Sequence, residues 1–127
     1  MNDLLEQTLQ KLAKLVKDAQ FEYAEKLAIQ ALKVFNDIRI KQYLGISKIG
    51  LKKYQEAAGI FEENTKEAGL DEDYNNLGLC YRFLKKYELS YEMGKKSIIS
   101  NPRNPSYYAN LATTAKLLNK DDEALDL

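Results

Sequence analysis

The sequence has no histidine and no tryptophan, one cysteine (Cys80) and two prolines, both late in the chain. Without histidine there is no imidazole base, no Ser-His-Asp or Cys-His nucleophile system, and no His-containing zinc site. A lone cysteine makes no intrachain disulfide and fits a reducing compartment. An excess of one charge is also missing: 19 Lys and Arg stand against 19 Asp and Glu. That balance argues against a general polyanion binder, and so against nucleic acid as a partner. No apolar run approaches the roughly 20 residues of a membrane span. The N-terminus carries Asp3 and Glu6 where a signal peptide would carry lysine or arginine. Gly45 and Gly50 are isolated in a helical pattern and make no phosphate loop. These absences imply a soluble, cytoplasmic protein with no cofactor, no metal and no catalytic constellation in this chain.

What is present is helix. The chain has 127 residues, enough for one domain, with 45% hydrophobic and 30% charged residues, a globular balance. No proline occurs before Pro102, and the composition favours Ala, Leu, Lys and Glu. Asn2 and Asp3 can cap a first helix with Leu5, Leu9, Leu12 and Leu15 or Val16 on one face. A second follows from Phe21, a third from about Asp37 to Gly50. A fourth starts at Lys53 or Tyr54 and stops at Gly69, a left-handed cap. Asp71 opens a fifth, with Glu72 and Asp73 as dipole-compensating acids. A sixth runs from near Tyr87 to before Asn101-Pro102, and Pro105 starts a seventh. Asp121-Asp122-Glu123 reads as the start of an eighth. No strand is expected.

The helices repeat. Leu44-Gly45 aligns with Leu77-Gly78 and Leu111-Ala112, at offsets of 33 and 34 residues. In the same register Leu51-Lys52-Lys53-Tyr54 aligns with Leu84-Lys85-Lys86-Tyr87 and Leu118-Asn119-Lys120-Asp121. Small residues fall in two columns: Gly45, Gly78 and Ala112 midway along first helices, and Ala24, Ala57, Ser90 and Ala124 near the starts of second helices. Small side chains there let paired antiparallel helices approach closely, with Phe21, Tyr54 and Tyr87 plugging the turn between them. A helix pair of this size cannot bury its apolar face alone, so pairs must stack.

On these columns the chain resembles the tetratricopeptide repeat family. The third unit carries the pattern best, with Tyr74, Leu77-Gly78, Tyr81, Leu84, Tyr87, Ser90 and a terminal Pro102. The second keeps Leu44-Gly45, Tyr54, Ala57 and Phe61. The first departs from it, with Lys11 for the usual leucine and Leu12 for the usual small residue. Asn64, Gly69 and Gly94 are further departures. The resemblance implies an all-α, right-handed α-solenoid of antiparallel helix pairs. It would hold about three and a half units, residues 5–37, 38–70, 71–104 and 105–127, with seven or eight helices. The last unit is truncated in its second helix, which implies a fragment of a longer chain, or an uncapped end that another molecule, such as a second copy, covers.

The resemblance also implies a concave groove, lined by first helices, that binds a peptide or partner helix. Residues one period apart form ladders on it: Gln10, Tyr43, Asn76 and Asn110; Leu9, Gln42, Asn75 and Ala109; Glu6, Arg39, Glu72 and Ser106; Val16, Ile49, Arg82 and Lys116. The candidate groove residues are Gln10, Arg39, Gln42, Tyr43, Asn75, Asn76, Arg82 and Asn110. Amides donate and accept, so they can grip a peptide backbone whatever its sequence. The first ladder is similar to the asparagine ladder of O-linked N-acetylglucosamine transferases, with two of four rungs different. A solvated polar face would need no ligand, but two adjacent asparagines one period apart favour one. The clamp that holds chaperone C-termini in this family resembles Lys, Asn, Asn, Lys and Arg on three first helices. Here those positions hold Leu9, Ala13, Tyr43, Glu72 and Asn76, or Gln42, Ile46, Asn76, Ser106 and Asn110. Neither set is a clamp.

Other clusters have simpler readings. Tyr54, Tyr74, Tyr81, Tyr87 and Tyr108 fall at repeat-core positions and read as buried. Asp121, Asp122 and Glu123 read as helix-start acids rather than a metal cluster. The doublets Lys52-Lys53, Lys85-Lys86 and Lys95-Lys96 read as a solvated face, and Cys80 as a small apolar packing residue. Three functions compete: a non-catalytic protein-interaction scaffold, the substrate-selecting region of a larger glycosyltransferase-like enzyme, and a self-assembling repeat unit.

Overall fold

A computed structural model describes the backbone over residues 3–126 and the side chains over residues 3–119. Its helices are α1 (Asp3–Lys17), α2 (Phe21–Leu32), α3 (Ile38–Gly50), α4 (Tyr54–Glu67), α5 (Asp71–Phe83), α6 (Tyr87–Ser100) and α7 (Pro105–Asp126). The fold is all-α, with seven helices and no strand among the described residues. Asn2 and the side chain of Ala124 lie outside those residues.

The expected eighth helix does not form among the described residues. The helix that starts at Pro105 continues through Asn119 and Asp121 to Asp126. No glycine or proline follows Pro105 to break it.

The chain divides into two compact units, Met1–Ile60 and Phe61–Leu127, with the boundary inside α4. In the first, Leu5, Leu9 and Leu12 of α1 meet Ala24, Ala28 and Ala31 of α2 and Ile40 of α3. Tyr43 and Leu44 pack against this core. Asp37 caps α3 by accepting from the Arg39 backbone N–H at 2.8 Å. The Phe21 ring lies against Gly50, at the end of α3. Glu25 of α2 accepts from Lys48 and Lys53, both at 3.0 Å, and Lys48 also reaches Glu56 at 2.9 Å. Burial opposes the charge on Glu25, yet the two lysines outweigh it and hold its carboxyl below its usual range.

In the second unit α5 packs on α6, and α6 on α7. Gly78 and Ser90 meet where α5 packs on α6, with the Ser90 hydroxyl donating to the Gly78 carbonyl at 2.7 Å. The same hydroxyl lies 3.2 Å from Thr114 Oγ1 on α7. Phe61, Leu77, Cys80 and Tyr81 are buried. Burial pushes the Cys80 thiol up to about 12, so it stays an unreactive thiol. Tyr107 is buried, whereas Tyr108, expected in the core, is 48% exposed. The Tyr107 hydroxyl donates to Asp71 at 2.7 Å and, with Asn101, holds that carboxyl below its usual value against burial. Ala112 is exposed, unlike Gly45 and Gly78.

Each helix pair turns in the same way. Ala19, Lys52 and Lys85 have φ of 58°, 62° and 63°, in the left-handed region. Around each, the next residue's N–H reaches back five residues, at 2.8 Å for Gln20 to Leu15, Lys53 to Lys48 and Lys86 to Tyr81. A three-residue bond accompanies each, from Ala19 to Val16, Lys52 to Ile49 and Lys85 to Arg82. These are Schellman caps without glycine, spaced 33 residues apart. Side chains with a Cβ resist this conformation. Replacing Ala19, Lys52 and Lys85 by glycine is expected to raise stability by about 0.5–1 kcal/mol per site, read as urea midpoints. A triple variant no more stable than the parent would mean the turns carry no strain.

Candidate functional site

The expected groove residues divide between the units. Gln10 is exposed on α1, and Gln42 and Tyr43 are half-buried on α3. Arg39 is committed locally: its Nη2 meets Asp37 at 2.8 Å, its Nε meets the same carboxylate at 3.0 Å, and its Nη1 reaches Glu6 at 3.4 Å. That fork raises the guanidinium pKa, through Asp37 first.

Asn75, Asn76 and Arg82 lie on α5, and Asn110 on α7. Asn75 and Arg82 are seven residues apart, two helical turns, and share one face. Asn110 joins them. Its Nδ2 donates to Asn75 Oδ1 at 3.0 Å, and its carbonyl accepts from Arg82 Nη1 at 3.3 Å and from Thr114 Oγ1 at 3.1 Å. Between them is a hollow of about 10 Å³, room for roughly one water. The amide pair that forms is therefore Asn75–Asn110. Asn76 is half-buried and makes no hydrogen bond among the described residues.

Arg82 is the distinctive group. It is half-buried, its neighbours are Asn110 and the Phe83 ring 5.9 Å away, and no carboxylate pairs with it among the described residues. Burial lowers its pKa, yet a guanidinium stays cationic at neutral pH. A desolvated cation without a counter-ion, next to two amides, can bind carbonyl or carboxylate oxygens bidentately. Sequence reasoning placed Arg82 on a ladder but could not see its bond to the Asn110 carbonyl, which depends on how α5 and α7 pack. No group of three or more Cys, Asp or Glu residues is placed to hold a metal among the described residues. No helix among the described residues is long and apolar enough to cross a membrane.

Known structures decide the fold. The tetratricopeptide domain of Sgt2 from Aspergillus fumigatus superimposes with a TM-score of 0.89 at 15% identity, over 96% of this chain and 83% of that one. The chain has the tetratricopeptide-repeat fold. PcrH of Pseudomonas aeruginosa, in complex with the chaperone binding region of PopB, gives 0.75 at 18% identity, over 92% and 96% of the two chains. No protein-family model matches the sequence. One stretch of 51 residues is 43% identical to anaphase-promoting complex subunit 6 of Dictyostelium discoideum. It covers 40% of this chain but only 6% of that protein.

Proposed function

We propose that this chain is a non-catalytic protein-interaction module that holds a peptide or partner helix on the face carrying Asn75, Arg82 and Asn110. The observation that carries the reading is Arg82, half-buried and without a carboxylate partner among the described residues, beside a hydrogen-bonded amide pair. Such a set meets a peptide backbone or an acidic side chain and offers no nucleophile or proton-transfer pair. The similar PcrH complex, in which a region of another protein is bound, supports a peptide as the occupant. The carboxylate-clamp residues are not at their positions, so a chaperone C-terminus held by that clamp is not the proposed ligand. The module is read as a cytoplasmic scaffold built on about three and a half units, residues 5–37, 38–70, 71–104 and the truncated 105–127. Gln10, Arg39, Gln42, Tyr43 and Asn76 are the further proposed contacts.

The test is selection of peptides from a displayed random library, followed by calorimetry on the best sequence. Arg82→Ala and the pair Asn75→Ala with Asn110→Ala should each weaken that peptide by about tenfold or more. The helical circular dichroism should not change. Equal affinity in all three proteins would remove this face from the function.

A further inference from the structure

A second surface lies about 100° around α5 from Asn75 and Arg82. Tyr74, Leu77 and Tyr81 of α5 form its floor, α4 supplies one wall and α6 the other. The space between the walls is about 290 Å³, enough for two or three side chains. Leu77 and Met93 give it an apolar strip.

Lys66 on α4 and Lys96 on α6 face the space from opposite walls. Glu62 precedes Lys66 by four residues, the spacing and order that ordinarily form a helix ion pair. That pair does not form. The Tyr81 hydroxyl donates to Glu62 Oε2 at 2.8 Å and draws the carboxylate away. Lys66 is left with no acidic partner among the described residues. Lys96 has none either: its ammonium sits 5.6 Å from the centre of the Tyr74 ring. Lys95, one residue earlier and outside the space, is neutralised by Glu92 at 3.1 Å. Both ammonium groups that flank the cavity are thus unpaired among the described residues.

We infer that this cleft between α4 and α6 is a second docking site, and that its occupant is an acidic peptide segment of a partner protein. Carboxylates of the segment would meet Lys66 and Lys96, and an apolar side chain between them would cover Leu77 and Met93. Charge complementarity selects this occupant. Tyr81 acts as a positioning residue, because it keeps Glu62 from occupying Lys66.

The test uses the whole chain and a capped six-residue peptide of alternating glutamate and leucine. Amide shifts in nuclear magnetic resonance should saturate and cluster at Thr65, Lys66, Leu77 and Lys96. Binding should weaken with salt, by about tenfold for Lys66→Glu with Lys96→Glu, and a few-fold for Tyr81→Phe as Glu62 turns to Lys66. Both lysines are exposed, and an unchanged melting curve confirms folding. Arg82→Ala should bind this peptide as the parent does, which separates the cleft from the face proposed above. Equal binding of the glutamine–leucine peptide overturns the inference. So does retained affinity in the charge-reversed variant, shifts centred on Asn75 and Asn110, or no saturation below about 1 mM. Preference of the same lysines for an oligonucleotide or an anionic vesicle over the peptide overturns it as well.

Discussion

Gly78→Leu should lower stability by about 1–3 kcal/mol and the melting temperature by several degrees. A Cβ at position 78 would already stand 3.3 Å from the Ser90 carbonyl oxygen and 3.5 Å from Met93 Cβ. The nearer neighbour is backbone of α6, which cannot swing aside as a side chain can. A leucine must push α5 and α6 apart, and that movement stretches the bond from the Ser90 hydroxyl to the Gly78 carbonyl. Gly94→Ala is the contrast. Its Cβ would meet Leu111 Cδ1 at 2.9 Å, the far end of a flexible side chain. Thermal denaturation should therefore rank Gly78→Leu well below Gly94→Ala and the parent. An unchanged melting temperature for Gly78→Leu would show that the helices are not in tight contact there.

The second large effect concerns Asn64 and Asp73, both almost fully buried. Asn64 Nδ2 donates to Asp73 Oδ1 at a long 3.5 Å, and Asn64 Oδ1 has no partner. One period earlier the same two positions hold Ala31 and Ile40, both buried and apolar. A polar pair, in which one Asn64 oxygen is unsatisfied, has replaced an apolar contact. Asn64→Ala alone removes a donor from a buried carboxylate and should cost about 1–3 kcal/mol. Asn64→Ala combined with Asp73→Ile restores the apolar pair. It should recover that loss or exceed the parent by about 1–4 kcal/mol. The signature is non-additivity in urea unfolding: the double variant more stable than Asn64→Ala. A double variant less stable than the single one would mean that other contacts of Asp73 dominate its energetics.

The helix pattern was legible because its signals are local. Gly69, at φ 61°, ends α4 as its glycine suggested, and Pro102 and Pro105 bracket the gap between α6 and α7. The left-handed turns were not, because their residues are alanine and lysine, whose own preferences point elsewhere. Pairing of the flanking helices imposes that conformation. Asp73 read as a first-turn acid, since proximity to a helix start is visible in sequence and burial is not. Tyr108 and Tyr107 are neighbours, and the step of 34 rather than 33 into the last unit decides which one faces inward. In the same way, the position of Arg82 on a helix face was readable from spacing. Its lack of a counter-ion was not, because that depends on every element around it. The cleft between α4 and α6 escaped for a related reason: its key event, Tyr81 capturing Glu62, joins residues 19 positions apart.

Ser90 stands where three helices meet, bonded to Gly78 on α5 and adjacent to Thr114 on α7. Thr114 in turn donates to the Asn110 carbonyl that also receives Arg82. A relay of hydroxyls thus fixes the spacing between the amide pair and the guanidinium before any visitor arrives. Whatever docks there finds its contacts already set, so little freedom is lost by the protein on binding, and more of each contact's energy is left to appear as affinity.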